Sequence, residues 1–169
     1  MAGSMNSWTG AGAPAQSAWG SRSQLFRSAQ RISRSDASVT WEIPGSASDL
    51  SGFSSLQFRA AQGTRHPDTT AVFGDQDFEV VLIDGDGDEQ AISIGAYGGG
   101  IEEPYQRTGF GTGAGWQNEY EVIRIRLAEF TVDGSSVDLD DIAAIRLDFG
   151  PSSGTSRGRI SVDDLIVLP

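Results

Sequence analysis

Apolar and polar positions alternate with period two through several short stretches of this chain. In 122–127, Ile123, Ile125 and Leu127 share one face, while Arg124 and Arg126 share the other. In 143–149, Ile145, Leu147 and Phe149 oppose Arg146 and Asp148, and in 56–60 Leu56 and Phe58 oppose Gln57 and Arg59. Side chains of an extended chain point alternately to the two faces of a sheet, so these stretches read as half-buried strands. Their arginines are expected to line one polar sheet face together. By contrast, 78–83 is apolar at both parities, as for a central strand covered on both sides. Further strands are expected at 24–27, 38–43, 90–94, 120–127 and 159–168, separated by Gly, Asp, Ser and Pro turn chemistry. That rhythm predicts an all-β, antiparallel β-sandwich. Only a short helical turn is expected, around 128–130 or 139–142.

Residues 1–22 stand apart. MAGSM resembles a cloning remnant, and residues 6–22 are rich in Gly, Ala, Ser and Pro, a linker or irregular lead-in strand. A single sandwich domain is expected over 23–169. No secretory apolar region lies near the start, which points to a domain excised from a longer precursor. The stretch 95–118 also breaks the rhythm, being glycine-dense and carrying Tyr97, Tyr105, Arg107, Phe110 and Trp116. A loop of that length is usually functional or mobile. Its aromatics need somewhere to pack, so it is expected to fold over a sheet edge or the polar face.

The closing strand holds the sharpest chemical anomaly. Asp163-Asp164 lies between Ile160 and Val162 on one side and 165–168, all apolar, on the other. A buried carboxylate costs several kcal/mol unless it is paired, hydrogen-bonded or bound to metal. A structural cation near Asp163 is one resolution; a solvent-facing pair at a sheet edge is another.

Composition narrows the classes. A chain of 169 residues can bury a core without disulfides or metals. Cysteine is absent, which excludes thiol nucleophiles and thiolate metal sites. The net charge of −11 argues against nucleic acid, whose phosphates would be repelled. Every cation is arginine and lysine is missing, compatible with a GC-rich genome or a salty habitat. No apolar run approaches the length of a membrane-spanning helix.

Several motifs dissolve on inspection. Asp84-Gly-Asp86-Gly-Asp88 has the one-three-five spacing of a calcium loop, but the sixth and twelfth positions hold Glu89 and Gly95 instead of Gly and Glu. A hairpin turn is expected, because Asp-Gly suits the positive φ of such turns. Gly150-Pro-Ser152-Ser-Gly154 matches a serine-hydrolase elbow, yet a strand rather than a helix should come after it, and the one histidine, His66, lies upstream. Gly109–Ala114 mimics a dinucleotide fingerprint without a βα unit. Triads are excluded, and nothing in the spacing singles out a glycosidase carboxylate pair.

Aromatics interleaved with polar groups remain. Sugars stack their C–H faces on exposed rings while polar side chains bond their hydroxyls. Tyr97, Tyr105, Trp116 and Tyr120, near Arg107 and the face carrying Arg124 and Arg126, would suit such a site. The same rings would also fill a small second core under the long loop.

The succession DLSGFSSLQFRAAQ, QDFEVVLIDGDGDEQAISI, EYEVIRIRLAEF, VDLDDIAAIRLDFG and GRISVDDLIVL resembles jelly-roll carbohydrate-binding modules of the galactose-binding-like type. It is similar also to accessory domains of secreted bacterial hydrolases. The resemblance covers about 38–168. It implies a jelly-roll sandwich and a non-catalytic, extracellular module, covalently linked to a catalytic domain, that binds a polysaccharide or glycan. In such modules the acidic pair of the last strand contributes to a structural Ca2+. Carried over, this implicates Asp163 first and Asp164 second, with Asp36 and Glu42 as the available early carboxylates. The alternative is a structural or protein-interaction sandwich with no sugar site; a small glycoside-active enzyme comes third.

Overall fold

The computed structural model describes residues 6–8, 28–32, 36–63, 74–106, 116–117, 119–132, 134–156 and 158–169. Among them run β1 (Asn6–Trp8), β2 (Ser28–Ile32), β3 (Ala37–Glu42), β4 (Ser55–Gln62), β5 (Glu79–Asp84), β6 (Glu89–Ser93), β7 (Tyr105–Gln106), β8 (Trp116–Gln117), β9 (Glu121–Arg126), β10 (Ile142–Phe149) and β11 (Gly158–Leu168). One sheet has the order β1-β2-β11-β4-β9 and the other β3-β10-β5-β6, with β7 and β8 forming a separate ribbon. The chain switches sheets at every step from β3 to β5, and again from β6 through β9 and β10 to β11. This is the alternation of a jelly roll, as the sequence led us to expect.

All pairings are antiparallel except β1 with β2, which run parallel. β1 lies in the expected lead-in and joins the first sheet at its edge. Three residues are too few to show a period, so nothing in the pattern marked it. The strand expected at 24–27 falls outside the described residues. One helical turn was expected at either of two places; 3-10 helices form at both, Leu127–Thr131 and Leu139–Asp141, and unexpectedly also at Gly45–Ala47 and Ile94–Ala96.

The core lies between the sheets. Leu56 and Phe58 of β4, Ile123 and Ile125 of β9, and Ile160 and Val162 of β11 meet Val39, Trp41, Val80, Leu82, Ile145, Leu147 and Phe149. Phe78, just before β5, sits 6.2 Å from the Phe58 ring and 4.9 Å from Phe149, tying the sheets together. Burying each such ring contributes roughly 1.5–3 kcal/mol.

The four arginines do not share one face. Arg59, Arg124 and Arg126 lie on the outer side of the first sheet, but β10 belongs to the second sheet and takes Arg146 to the opposite side of the sandwich. There Arg146 donates to both Glu89 oxygens at 2.7 Å and, through Nε, to Asp148 at 2.8 Å. It stands directly across from Val81, which is buried although it points outward. Alternation separates inside from outside; it carries no label for which sheet.

Asp84-Gly-Asp86-Gly-Asp88 is the expected hairpin. The Asp84 carboxylate accepts from the backbone N–H groups of Asp86, Asp88 and Asp138, so it locks the turn instead of offering a calcium site. The stretch 95–118 begins as part of the core. Ile94 opens a 3-10 helix, Ile94–Ala96, whose start is held by Asp77 accepting from Gly95 N–H and Ser93 Oγ. Ile101 then bridges to Gln76 and is fully buried.

Candidate functional site

The outer face of β11, β4 and β9 forms a grid fixed by strand register. Its rows run Leu168–Ser55–Arg126, Ile166–Gln57–Arg124 and Asp163–Arg59–Val122. Tyr120 lies just before β9, 43% exposed, and Val122 beside it is 57% exposed. The first two rows grade from apolar on β11 through neutral polar on β4 to cationic on β9, whereas the third runs from acid through cation to apolar.

Its polar side chains hold one another in place. Gln57 Oε1 accepts from Arg124 Nε at 3.1 Å and from Nη2 at 2.6 Å. The Arg59 guanidinium lies 5.7 Å from the centre of the Tyr120 ring, within cation–π range. Arg59 Nη2 also bonds Asp163 Oδ2 at 3.2 Å and Asp164 Oδ2 at 2.7 Å.

Asp163 and Asp164 owe their positions to a bulge. Between Asp163 opposite Arg59 and Ile166 opposite Gln57, β11 carries one residue more than β4. Asp164 takes up the extra length in the left-handed region at φ 53°, which Asp tolerates better than most residues. Parity then resets, so Leu165 enters the core while Asp163 faces outward. Asp163 is nonetheless only 1% exposed, and its Oδ1 accepts from Asp164 N–H at 3.0 Å.

The carboxylates assigned to calcium do not converge. Asp36 accepts from Ser152 N–H and Oγ at 2.9 and 2.8 Å, fastening the turn between β10 and β11, and these bonds hold its carboxyl below the usual range. Asp163 is five residues along β11 from Gly158, about 17 Å of extended chain from the end where that turn joins β11. Glu42 is exposed on β3, in the other sheet. Arg59 already supplies a positive charge to Asp163 and Asp164. Among the described residues no group of three or more His, Cys, Asp or Glu is placed to hold a metal. Calcium therefore does not fit this set, because a hard cation needs six or more oxygens around one point.

The expected sugar-binding residues divide. Arg124 and Arg126 share the outer face. Tyr97 is half-buried against the core; burial, then Glu129, pushes its phenol up, with nearby Arg126 opposing. The ribbon of β7 and β8 places Tyr105 across from Gln117 and Trp116 across from Gln106. Arg107 lies outside the described residues, as does His66. Ser152, in the elbow-like motif, merely donates to Asp36. Tyr120, also expected at such a site, lies on this face beside Arg59. Gln57 and Arg59 complete the face without having been singled out as binding residues. The alternation marked both as polar-side, and only register joined them to Arg124 and Asp163.

No protein-family model matches the chain, and comparison with curated proteins finds no match. Two solved structures are similar in fold. One is a family 11 carbohydrate-binding module of a cellulosomal cellulase of Clostridium thermocellum, with TM-score 0.48 and 14% identity over 89% of this chain and 86% of that one. The other is a family 11 module from the same organism in complex with a β-1,3-1,4-mixed-linked tetrasaccharide, with TM-score 0.47 and 14% identity over 89% and 88%.

Proposed function

We propose that the chain is a non-catalytic carbohydrate-binding module whose binding surface is the outer face of β11, β4 and β9. One observation carries the reading: this face is open at Tyr120, Val122, Arg124 and Arg126 and half-open at Gln57, and Gln57 and Arg124 already hold each other in place. A sugar chain lying across it meets fixed hydrogen-bonding groups and an exposed ring, so little side-chain entropy is lost on binding. Its carboxylates, Asp163 and Asp164, are both engaged by Arg59, which disfavours a role for them as general acid and base. The module acts outside the cell, attached to a catalytic domain whose concentration on a polysaccharide it raises.

Affinity electrophoresis and calorimetry with a panel of neutral and acidic polysaccharides test this. The mixed-linked glucan bound by the similar module is the natural first member. Binding to at least one polysaccharide, abolished in Gln57→Ala/Tyr120→Ala at unchanged melting temperature, is expected. No response across the panel would overturn the proposal in favour of a protein-interaction sandwich.

A further inference from the structure

We infer that the ligand of this face is a carboxylate-bearing polysaccharide, a polyuronate, an inference that rests on the carbohydrate-binding reading above. Its basis is the kind of hydrogen-bonding group left facing solvent on β4 and β9. A guanidinium can only donate, so the two bonds from Arg124 fix the Gln57 amide with its oxygen toward Arg124. Both lone-pair sites of that oxygen are then used. What Gln57 still offers is its NH2 group, two donors and no acceptor.

Arg126 lies two residues further along β9, about 7 Å from Arg124, on the same face. Among the described residues neither arginine forms a salt bridge, whereas Arg59 and Arg146 are both paired with carboxylates. On a chain of net charge −11, two guanidiniums are thus left unneutralised side by side. Gln57, Arg124 and Arg126 together make a patch that only donates. On the same face Asp163 and Asp164 each give one oxygen to Arg59, and Asp163 Oδ1 also accepts from Asp164 N–H.

A neutral sugar matches such a patch poorly, because each hydroxyl brings a proton that finds no acceptor. A carboxylate accepts only, carries the complementary charge, and fits the guanidinium fork with two parallel bonds. The rest of the acidic surface does not forbid this. At physiological ionic strength charges beyond about 8 Å are largely screened, so the local pair decides.

The test is calorimetric titration of the full chain with polygalacturonate, its methyl-esterified form, alginate, dextran sulfate and neutral mixed-linked glucan. Esterification keeps the sugar and removes the charge. Polygalacturonate or alginate is expected to bind, with about a tenfold loss on esterification and at least that in Arg124→Gln/Arg126→Gln, the scale of one charge-assisted bond. The melting temperature of that variant should stay unchanged, since both side chains are exposed. Equal binding of esterified and free polymer, or binding of neutral glucan only, would overturn the inference and leave the carbohydrate reading standing. Dextran sulfate binding as tightly as polyuronate would overturn it in favour of unspecific polyanion attraction. No binding to any polymer would remove both.

Discussion

Arg59 and Asp163 face each other across the antiparallel pair of β4 and β11, 104 residues apart in sequence and joined at 3.2 Å through Nη2 and Oδ2. This pairing answers the question raised by an acid inside an apolar strand: the cation is carried by the chain itself. Asp163 is buried and Arg59 is partly exposed, so solvent moderates the bond's worth. Arg59→Met is expected to destabilise the fold by about 1–3 kcal/mol in urea denaturation, mainly by removing a cationic partner of the buried Asp163 carboxylate.

Because Arg59 already bonds both carboxylates of the acidic pair, chelation should matter little. The thermal midpoint is expected to be the same with EDTA as with millimolar calcium. A ligand that binds only the native state raises the midpoint, increasingly as its concentration exceeds its dissociation constant, so a rise of several degrees with calcium would reveal a cation site.

Asp164 is held in the left-handed region by the bulge, which makes backbone fit its main constraint. Asp164→Gly, which loses one partly exposed contact and gains an unstrained backbone, should change stability by less than about 1 kcal/mol. Asp164→Val should cost about 2 kcal/mol, because a β-branched residue is poorly accommodated there. Paired urea curves distinguish the two; a harsher effect of glycine than of valine would mean that the carboxylate, not the bulge, decides.

Glu121 contributes to stability with the sign opposite to Asp36, Asp49, Asp84 and Glu89, whose carboxyls are held below the usual range by hydrogen bonds. Its side chain accepts from Glu102 N–H at 2.6 Å, yet burial first, and then Glu102 and Asp75, raise its pKa. A raised folded pKa stabilises the fold below the unfolded value, about 4.3, and that contribution is lost as pH rises through the folded value. Glu121→Gln should therefore melt higher than the parent at pH 7, with the difference shrinking as pH falls toward 4. A variant that melts lower at neutral pH would refute this.

Asp84 runs the other way. Its pKa is lowered, chiefly by the Asp138 N–H and further by those of Asp88, Asp86 and Gly87. Its contribution is present above the unfolded value near 3.9 and is lost as pH falls through the lower folded one. Asp84→Ala should thus lower the melting temperature at pH 7 and leave a smaller difference in strong acid. A parallel shift at both pH values would show that the charge is not involved.

Much of the architecture is local in origin, and so was legible. The period-two pattern identified β4, β9 and β10 and the inward residues on them, because burial on one face of a sheet imposes that period, and apolar stretches bounded by turn residues marked β3, β5, β6 and β11. Asp-Gly-Asp-Gly-Asp announced its hairpin, because glycine's backbone freedom and the reach of an Asp side chain to N–H groups two and four residues on act within the turn. The pairing of Asp163 with Arg59, the separation of Arg146 from Arg124, and the burial of Ile101 were not legible. Each depends on which strand lies next to which, and on a bulge that resets parity in mid-strand.

Local pattern alone thus told which side chains of the alternating strands turn inward, where the chain turns, and that an acidic pair in β11 needed a bonding partner, a metal or solvent. Strand register and sheet choice were needed to show that Arg59 bonds this pair, that Arg124 and Arg126 share its face while Arg146 does not, and that Gln57 is turned so as to leave donors alone facing outward. The physical reason is the range of the forces: alternation and turn chemistry act within a few residues, whereas register and sheet choice are settled by packing between segments far apart in the chain.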